Sequence, residues 1–165
     1  MAMTDVLLAL LARGPRHGYD LKRSYDEWFA GLRPLAFGQV YSTLARLQRD
    51  GLVEVAHTEG GDGPERVVYE TTGAGREALR VWLEEPVEPN GTASDDLQRK
   101  VLAAHRLKED VPALIARQRA AHLRAMRALT PSGELAATLT ADLARLRLDA
   151  ELRWLELAEE RLARG

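Results

Sequence analysis

Residues 38–50, GQVYSTLARLQRD, carry polar side chains at a spacing that suits contact with nucleic acid. At 100° per residue, Val40, Leu44 and Leu47 share one side of a helix, which predicts a face turned towards a core. The other side offers amide, hydroxyl and guanidinium groups and no carboxylate before Asp50. Such groups hydrogen-bond phosphates and base edges. The candidate DNA-binding residues of this helix are Gln39, Tyr41, Ser42, Thr43, Arg46 and Arg49.

Arg46 is the strongest of these candidates because its guanidinium fork can bond both acceptors of a guanine edge. Lys22 lies on the preceding helix and Arg66 on the second strand described below, where each is placed to meet phosphate. An ordinary amphipathic surface helix with solvent-exposed charges is the alternative explanation of the same pattern.

The elements around this helix predict a helix-turn-helix followed by a wing. A first helix near Thr4 ends at Arg13-Gly14-Pro15, and a second runs from His17 or Gly18 to about Ala30. Gly51 is the expected C′ residue of the third helix. Strands at 52–57 and 65–71 flank a glycine-rich turn and form a hairpin, and Thr72 caps the next helix. The fold class is therefore mainly α with a small β-hairpin.

The rest of the chain predicts a linker and a helical domain. We expect a winged helix-turn-helix domain at 1–84, a proline-containing linker at 85–92 and a helical dimerisation domain at 93–165. The last helix, from about Glu134 to Ala163, has two apolar stripes. One contains Leu135, Leu139, Leu143, Leu146, Ala150, Trp154 and Leu157 and can pack on the preceding helix. The other needs a cover, either a second copy of the chain or the first helix, and its predicted dimerisation residues are Leu148, Leu152, Leu155 and Leu162.

Composition narrows the possible functions. The formal net charge is −2 and neither half is basic, so a nucleic-acid contact must come from a local face. The chain has no cysteine, and its four histidines lie far apart without metal-ligand spacing. No glycine-rich phosphate loop or serine nucleophile motif occurs. We therefore expect no enzyme, metal site or cofactor. Short apolar runs and the lack of a signal layout favour a cytoplasmic protein.

Three segments together resemble the PadR family of transcriptional regulators, in the subgroup with a long helical C-terminal domain. They are LLALLARGPRHGYDLKRSYDEWF at 7–29, GQVYSTLARLQRDGLVEV at 38–55 and GPERVVYETTGAGREALRVWL at 63–83. One departure is that Asp62 and Glu65 stand beside a lone Arg66 at the wing tip, where this family usually has several basic residues.

The resemblance implies a homodimeric repressor that binds a pseudo-palindromic, double-stranded DNA operator and often releases it when a small molecule binds. It also implies that Tyr41 contacts the DNA backbone or bases, although packing at the core edge would explain this position equally well. Flat side chains able to stack on a small aromatic or drug-like effector are Trp28, Trp82 and Trp154. A winged-helix module that binds another protein, without sequence-specific DNA binding, is the alternative.

Overall fold

The computed structural model describes residues 2–59, 66–89, 94–130 and 133–164, and contains seven helices and a three-stranded sheet within these ranges. The N-terminal half comprises α1 (Ala2–Leu11), β1 (Arg16–His17), α2 (Gly18–Trp28), α3 (Phe37–Arg49), β2 (Val53–Glu59), β3 (Arg66–Thr71) and α4 (Gly73–Glu84). The C-terminal half comprises α5 (Ser94–Leu107), α6 (Val111–Ala128) and α7 (Leu135–Arg164). The predicted fold class is confirmed.

Helix α1 is the centre of the core. Every side chain from Val6 to Leu11 is at most 2% exposed, because an apolar run with no polar side must be covered all round. Helices α3, α4 and α5 pack against it. A single hydrophobic cluster therefore joins the N-terminal elements to the C-terminal helices.

Helix α3 ends as its sequence predicts. Gly51 has φ +71°, a conformation that glycine adopts without the steric cost of a Cβ atom. The amide of Leu52 donates to the carbonyl of Leu47 at 2.9 Å and that of Gly51 to Gln48 at 3.1 Å, which closes a Schellman motif. The chain then turns directly into β2, so the wing starts at a fixed angle from α3.

The predicted hairpin is confirmed and has a third strand. Strand β3 pairs antiparallel with β2 on one side and with the two-residue β1 on the other, giving the order β1-β3-β2. Arg16 lies opposite Tyr69, and His17 lies opposite Val68. A two-residue strand has no periodicity to reveal it in sequence. The predicted wing tip, with Asp62 and Glu65, lies outside the described residues.

Helix α4 is fixed to the end of α3 by close backbone contact. Thr72 caps α4 as predicted, accepting from the amide of Gly75 at 3.1 Å, and its hydroxyl donates to the Gly51 carbonyl at 2.7 Å. A Cβ atom on Gly75 would lie 2.0 Å from the carbonyl oxygen of Leu52. Only glycine therefore allows this approach of helix and chain.

The C-terminal helices hold the segment that follows α4. Residues 85–89 form neither helix nor strand, and Gln118 of α6 bonds both the amide and the carbonyl of Val87, at 2.8 and 2.7 Å. Arg117 donates to the carbonyl of Glu84 at 3.0 Å, and the buried Lys100 donates to that of Glu85. The described part of the predicted linker, residues 85–89, is thus held by hydrogen bonds from α5 and α6.

The assignment of the two leucine stripes on α7 was wrong. Leu148 is 3% exposed and Leu155 is fully buried within one chain, and Leu162 also packs against the core, so these side chains leave little surface for a partner. The stripe assigned to the preceding helix is instead the open one. Its leucines are 50–72% exposed: Leu135, Leu139, Leu143, Leu146 and Leu157.

Candidate nucleic-acid interface

The outer face of α3 presents Tyr41 and Arg46 to solvent. Tyr41 is 49% exposed. Arg46 is exposed and forms no ion pair with any residue that the structure describes. Val40, Leu44 and Leu47 are fully buried on the other side, as predicted, so α3 is held rigidly while its outer side chains point away. The rigid helix holds the backbone of Arg46 in place, and the planar guanidinium fork loses comparatively little freedom for each hydrogen bond that it forms.

Two other predicted side chains are already bonded within the same helix. The amide oxygen of Gln39 accepts from the backbone amide of Ala36 at 3.2 Å, which caps the start of α3. The hydroxyl of Ser42 donates to the Gln39 carbonyl at 3.2 Å. Both residues are exposed, so hydrogen bonds to a nucleic acid could replace these internal ones.

Thr43 was wrongly assigned to the contact face. It is only 4% exposed and lies among the buried residues of α3. At 100° per residue, position 43 falls about 60° from Val40 and 40° from Leu47, which places it at the edge of the buried arc. The small threonine side chain fits there without disrupting the packing.

The remaining predicted cations differ in how freely they can contact a phosphate. Arg49 donates to Asp50 at 2.8 Å, and this hydrogen bond lowers the pKa of the exposed Asp50 carboxyl. Lys22 pairs with Asp26 and lies 5.4 Å from the ring centroid of Phe37. Arg66 is exposed at the start of β3. Surface ion pairs of this kind are weak, so a phosphate could replace either carboxylate.

Aromatic side chains that the sequence reasoning missed surround this face. The ring of Tyr19 stacks on that of Phe37, with centroids 5.7 Å apart and planes at 19°, although both side chains are largely exposed. Tyr19 lies opposite the buried side of α2, at about 200° from Leu21. That exposed position was a signal available in the sequence.

A cavity of about 590 Å³ separates the start of α2 from α3 and the wing. It is lined by Tyr19, Tyr41, Arg66 and Tyr69, among others. The Tyr41 ring lies so close to Gly18 that a Cβ atom there would be 2.7 Å from it. The first turn of α2, the outer face of α3 and the wing thus form one continuous surface with hydroxyl and guanidinium groups.

The three tryptophans suggested as effector contacts do not meet. Trp28 is 8% exposed in the core, where its ring packs edge-on against Phe29. Trp82 is half-buried beneath the ammonium of Lys100, 5.3 Å from the ring centroid. Trp154 lines a separate cavity of about 280 Å³ on the C-terminal helices.

Metal-binding clusters and membrane-spanning helices are absent from the described residues. Among the residues described, no three histidine, aspartate or glutamate side chains come together in a way that would hold a metal ion. In the same part of the chain, no helix combines the length and apolarity needed to cross a bilayer. The outer face of α3, with the adjoining cavity, is therefore the principal candidate site.

Comparison with known proteins finds similarity to transcriptional regulators. The model of the PadR-like transcriptional regulator family matches residues 7–81, a range that contains α3 and the wing. The probable transcriptional regulator Rv1176c of Mycobacterium tuberculosis is 26% identical over 107 residues, covering 62% of this chain and 57% of that protein. The negative transcriptional regulator PadR of Bacillus subtilis is 29% identical over 77 residues, covering 47% of this chain and 42% of that protein. The chain thus spans about half the length of the curated relatives it matches.

Among solved structures, the crystal structure of Bacillus subtilis PadR in complex with operator DNA is similar over almost the whole chain. The match covers 99% of this chain and 97% of the PadR chain, with 21% identity and a TM-score of 0.47.

Proposed function

We propose that this chain is a member of the PadR-like family of transcriptional regulators and acts as a homodimeric repressor that leaves a pseudo-palindromic operator when a small molecule binds. The family consists of transcriptional regulators and not of enzymes.

One observation carries the DNA-binding part of the proposal. Arg46 and Tyr41 project from a helix whose inner residues are fully buried, beside a cavity bordered by the wing. A recognition helix in this position reads base edges in the major groove while neighbouring side chains contact the backbone. The side chains of Gln39 and Ser42 already form hydrogen bonds within the protein. We therefore favour Arg46 as the principal base contact and Tyr41 as a backbone contact.

The dimer is supported by the open stripe on α7. Leu139 and Leu143 are 59% and 50% exposed on a 30-residue helix, and Leu146 is 67% exposed. Apolar rows of this length on a helix are normally covered, and a second copy offers an identical row for a two-fold interface. Two recognition helices then meet two half-sites, which fixes the half-site spacing and doubles the contacts. Binding to an operator implies action in the cytoplasm.

The test is fluorescence anisotropy with labelled duplexes from the promoter of the protein's own gene, beside scrambled duplexes, over a range of salt. A sequence-specific regulator binds the promoter much more tightly than the scrambled duplex. Its log K falls with log salt by about 0.9 for each phosphate neutralised. Equal and weak binding to both duplexes would contradict an operator in this promoter. A flat salt dependence would favour the alternative, a winged-helix module that binds a protein.

A further inference from the structure

An exposed phenyl ring lies at the start of the helix that carries the candidate DNA-binding face. Phe37 is the first residue of α3, and its side chain is 43% exposed. Because side chains on a helix tilt towards its N-terminus, the ring leans over the start of α3 and not along its length. The N-terminal residues of a recognition helix are the ones that contact base edges in helix-turn-helix proteins.

The Phe37 ring is held in place by neighbours on α2. Tyr19 stacks on it with the centroids 5.7 Å apart, and the ammonium of Lys22 lies 5.4 Å from its centroid. The first turn of α3 is fixed as well, because the side chain of Gln39 accepts from the amide of Ala36 at 3.2 Å. A ring that is already held in this way loses little freedom when it binds a partner.

The chemistry of a phenyl ring limits what it can recognise on DNA. It offers no conventional hydrogen-bond donor or acceptor, so it cannot read the polar groups of base edges. The apolar group that a base pair presents in the major groove is the C5-methyl of thymine. The side chains of Tyr19, Tyr41 and Arg66 nearby carry hydroxyl or guanidinium groups, which suit phosphate oxygens instead.

We propose that Phe37 contributes to operator specificity by covering the C5-methyl group of a thymine in each half-site. This inference rests on the proposed function and deepens it, since it names the base and the chemical group that one residue of α3 recognises. Phe37 and Arg46 lie on opposite flanks of the exposed side of α3, so they contact different parts of a half-site. Arg46 supplies hydrogen bonds, and Phe37 supplies an apolar contact.

The test compares the promoter duplex of the protein's own gene with the same duplex in which uracil replaces every thymine. Uracil pairs as thymine does and lacks only the C5-methyl group. In fluorescence anisotropy at one fixed salt concentration, the wild type should bind the uracil duplex about fourfold more weakly for each methyl group that it covers. This factor corresponds to about 0.8 kcal/mol for one buried carbon group.

Substitutions at Phe37 assign this preference to one side chain. Phe37→Ala should bind the thymine duplex more weakly than the wild type does, and should bind the two duplexes with nearly equal affinity. Phe37→Leu remains apolar and should keep part of the preference. Leu123→Ala is the matched control, because it removes an apolar side chain of α6 that is also 43% exposed, and it should keep the full preference.

The measured quantity is the ratio of two affinities for the same protein sample, so a smaller folded fraction in one variant does not change it. Two results would overturn the inference: equal binding of the thymine and uracil duplexes by the wild type, or an undiminished preference in Phe37→Ala.

Failure of this inference and failure of the proposed function can be told apart. A wild type that does not distinguish the promoter from a scrambled duplex contradicts sequence-specific binding to this promoter. A wild type that selects the promoter and is indifferent to the uracil replacement contradicts only the role of Phe37.

Discussion

Nε2 of His122 lies 2.8 Å from Oε2 of Glu151, in a position where the histidine has no exposed surface and the glutamate side chain keeps 10%. This pair joins α6 to α7 on the side of α7 that turns inwards. Leu148 and Leu155 lie within one turn of Glu151 and are buried with it. The opposite stripe is consequently left open.

Removing one member of this pair should be costly. We expect His122→Ala to destabilise the fold by about 3 kcal/mol, because the largely buried Glu151 carboxylate would lose its bond to the imidazole. The double variant His122→Leu with Glu151→Leu should recover most of that loss, since a buried polar pair can often be replaced by apolar side chains of similar volume. Urea unfolding measures both. Equal stability of the wild type and His122→Ala would show that the pair contributes little.

The open stripe on α7 predicts which substitutions separate the dimer. Leu139→Glu together with Leu143→Glu should yield a folded monomer, because charges placed on this face cannot be buried against a second copy. Leu155→Glu should instead unfold the chain, since that side chain is already in the core. Sedimentation velocity with far-UV circular dichroism distinguishes the two results. A folded dimer of the Leu139 and Leu143 variant would place the partner elsewhere.

The contact of α4 with the end of α3 can be tested with two glycines of the same helix. Gly75→Ala should cost about 1–3 kcal/mol, because its Cβ would lie 2.0 Å from the Leu52 carbonyl oxygen. Gly73→Ala meets nothing within 4 Å and should be neutral or slightly stabilising. Denaturant unfolding of both variants gives the comparison. If the two variants were equally stable, α4 would not depend on this close approach.

Lys100 predicts a rise in stability at alkaline pH. Burial lowers its pKa to about 8 from an ordinary value of 10.5, although Asp5 and Glu85 favour the charged form and Arg117 opposes it. Between these two values the unfolded chain binds more protons than the folded chain, so the free energy of unfolding should rise with pH through this window.

The difference between the wild type and Lys100→Gln isolates this contribution. The free energy of unfolding, measured at several pH values across the window, should rise more steeply for the wild type than for the variant. Parallel pH profiles would show that the ammonium is not held in a low-dielectric environment.

Local signals predicted most of the fold. The apolar side of α3, its end at Gly51 and the Thr72 cap each depend on residues within one or two turns, where spacing and backbone preference decide the structure. The features that the sequence did not predict depend on contacts between residues that are distant in sequence. Strand β1 exists only because Tyr69 and Val68 lie beside it.

The candidate site was predicted less completely than the fold. The periodicity of α3 identified Arg46 as outward-facing, but Tyr41 and Thr43 flank that face, where an angle alone did not show that Tyr41 is exposed and Thr43 buried. Both stripes of α7 are rich in leucine, so their composition did not show which one is buried; Glu151, which pairs with His122, lies on the buried one. That pairing joins positions 29 residues apart on different helices, so no local pattern reveals it.

The most direct test of the central claim, that the outer face of α3 binds DNA, is the promoter affinity of Arg46→Ala. We expect a loss of about 1–3 kcal/mol with the fold and the dimer unchanged, because a guanidinium contact to a base edge or a phosphate is removed. Arg124→Ala, a change to an exposed arginine on α6, should bind as the wild type does. An Arg46→Ala dimer that binds the promoter with undiminished affinity would contradict the claim.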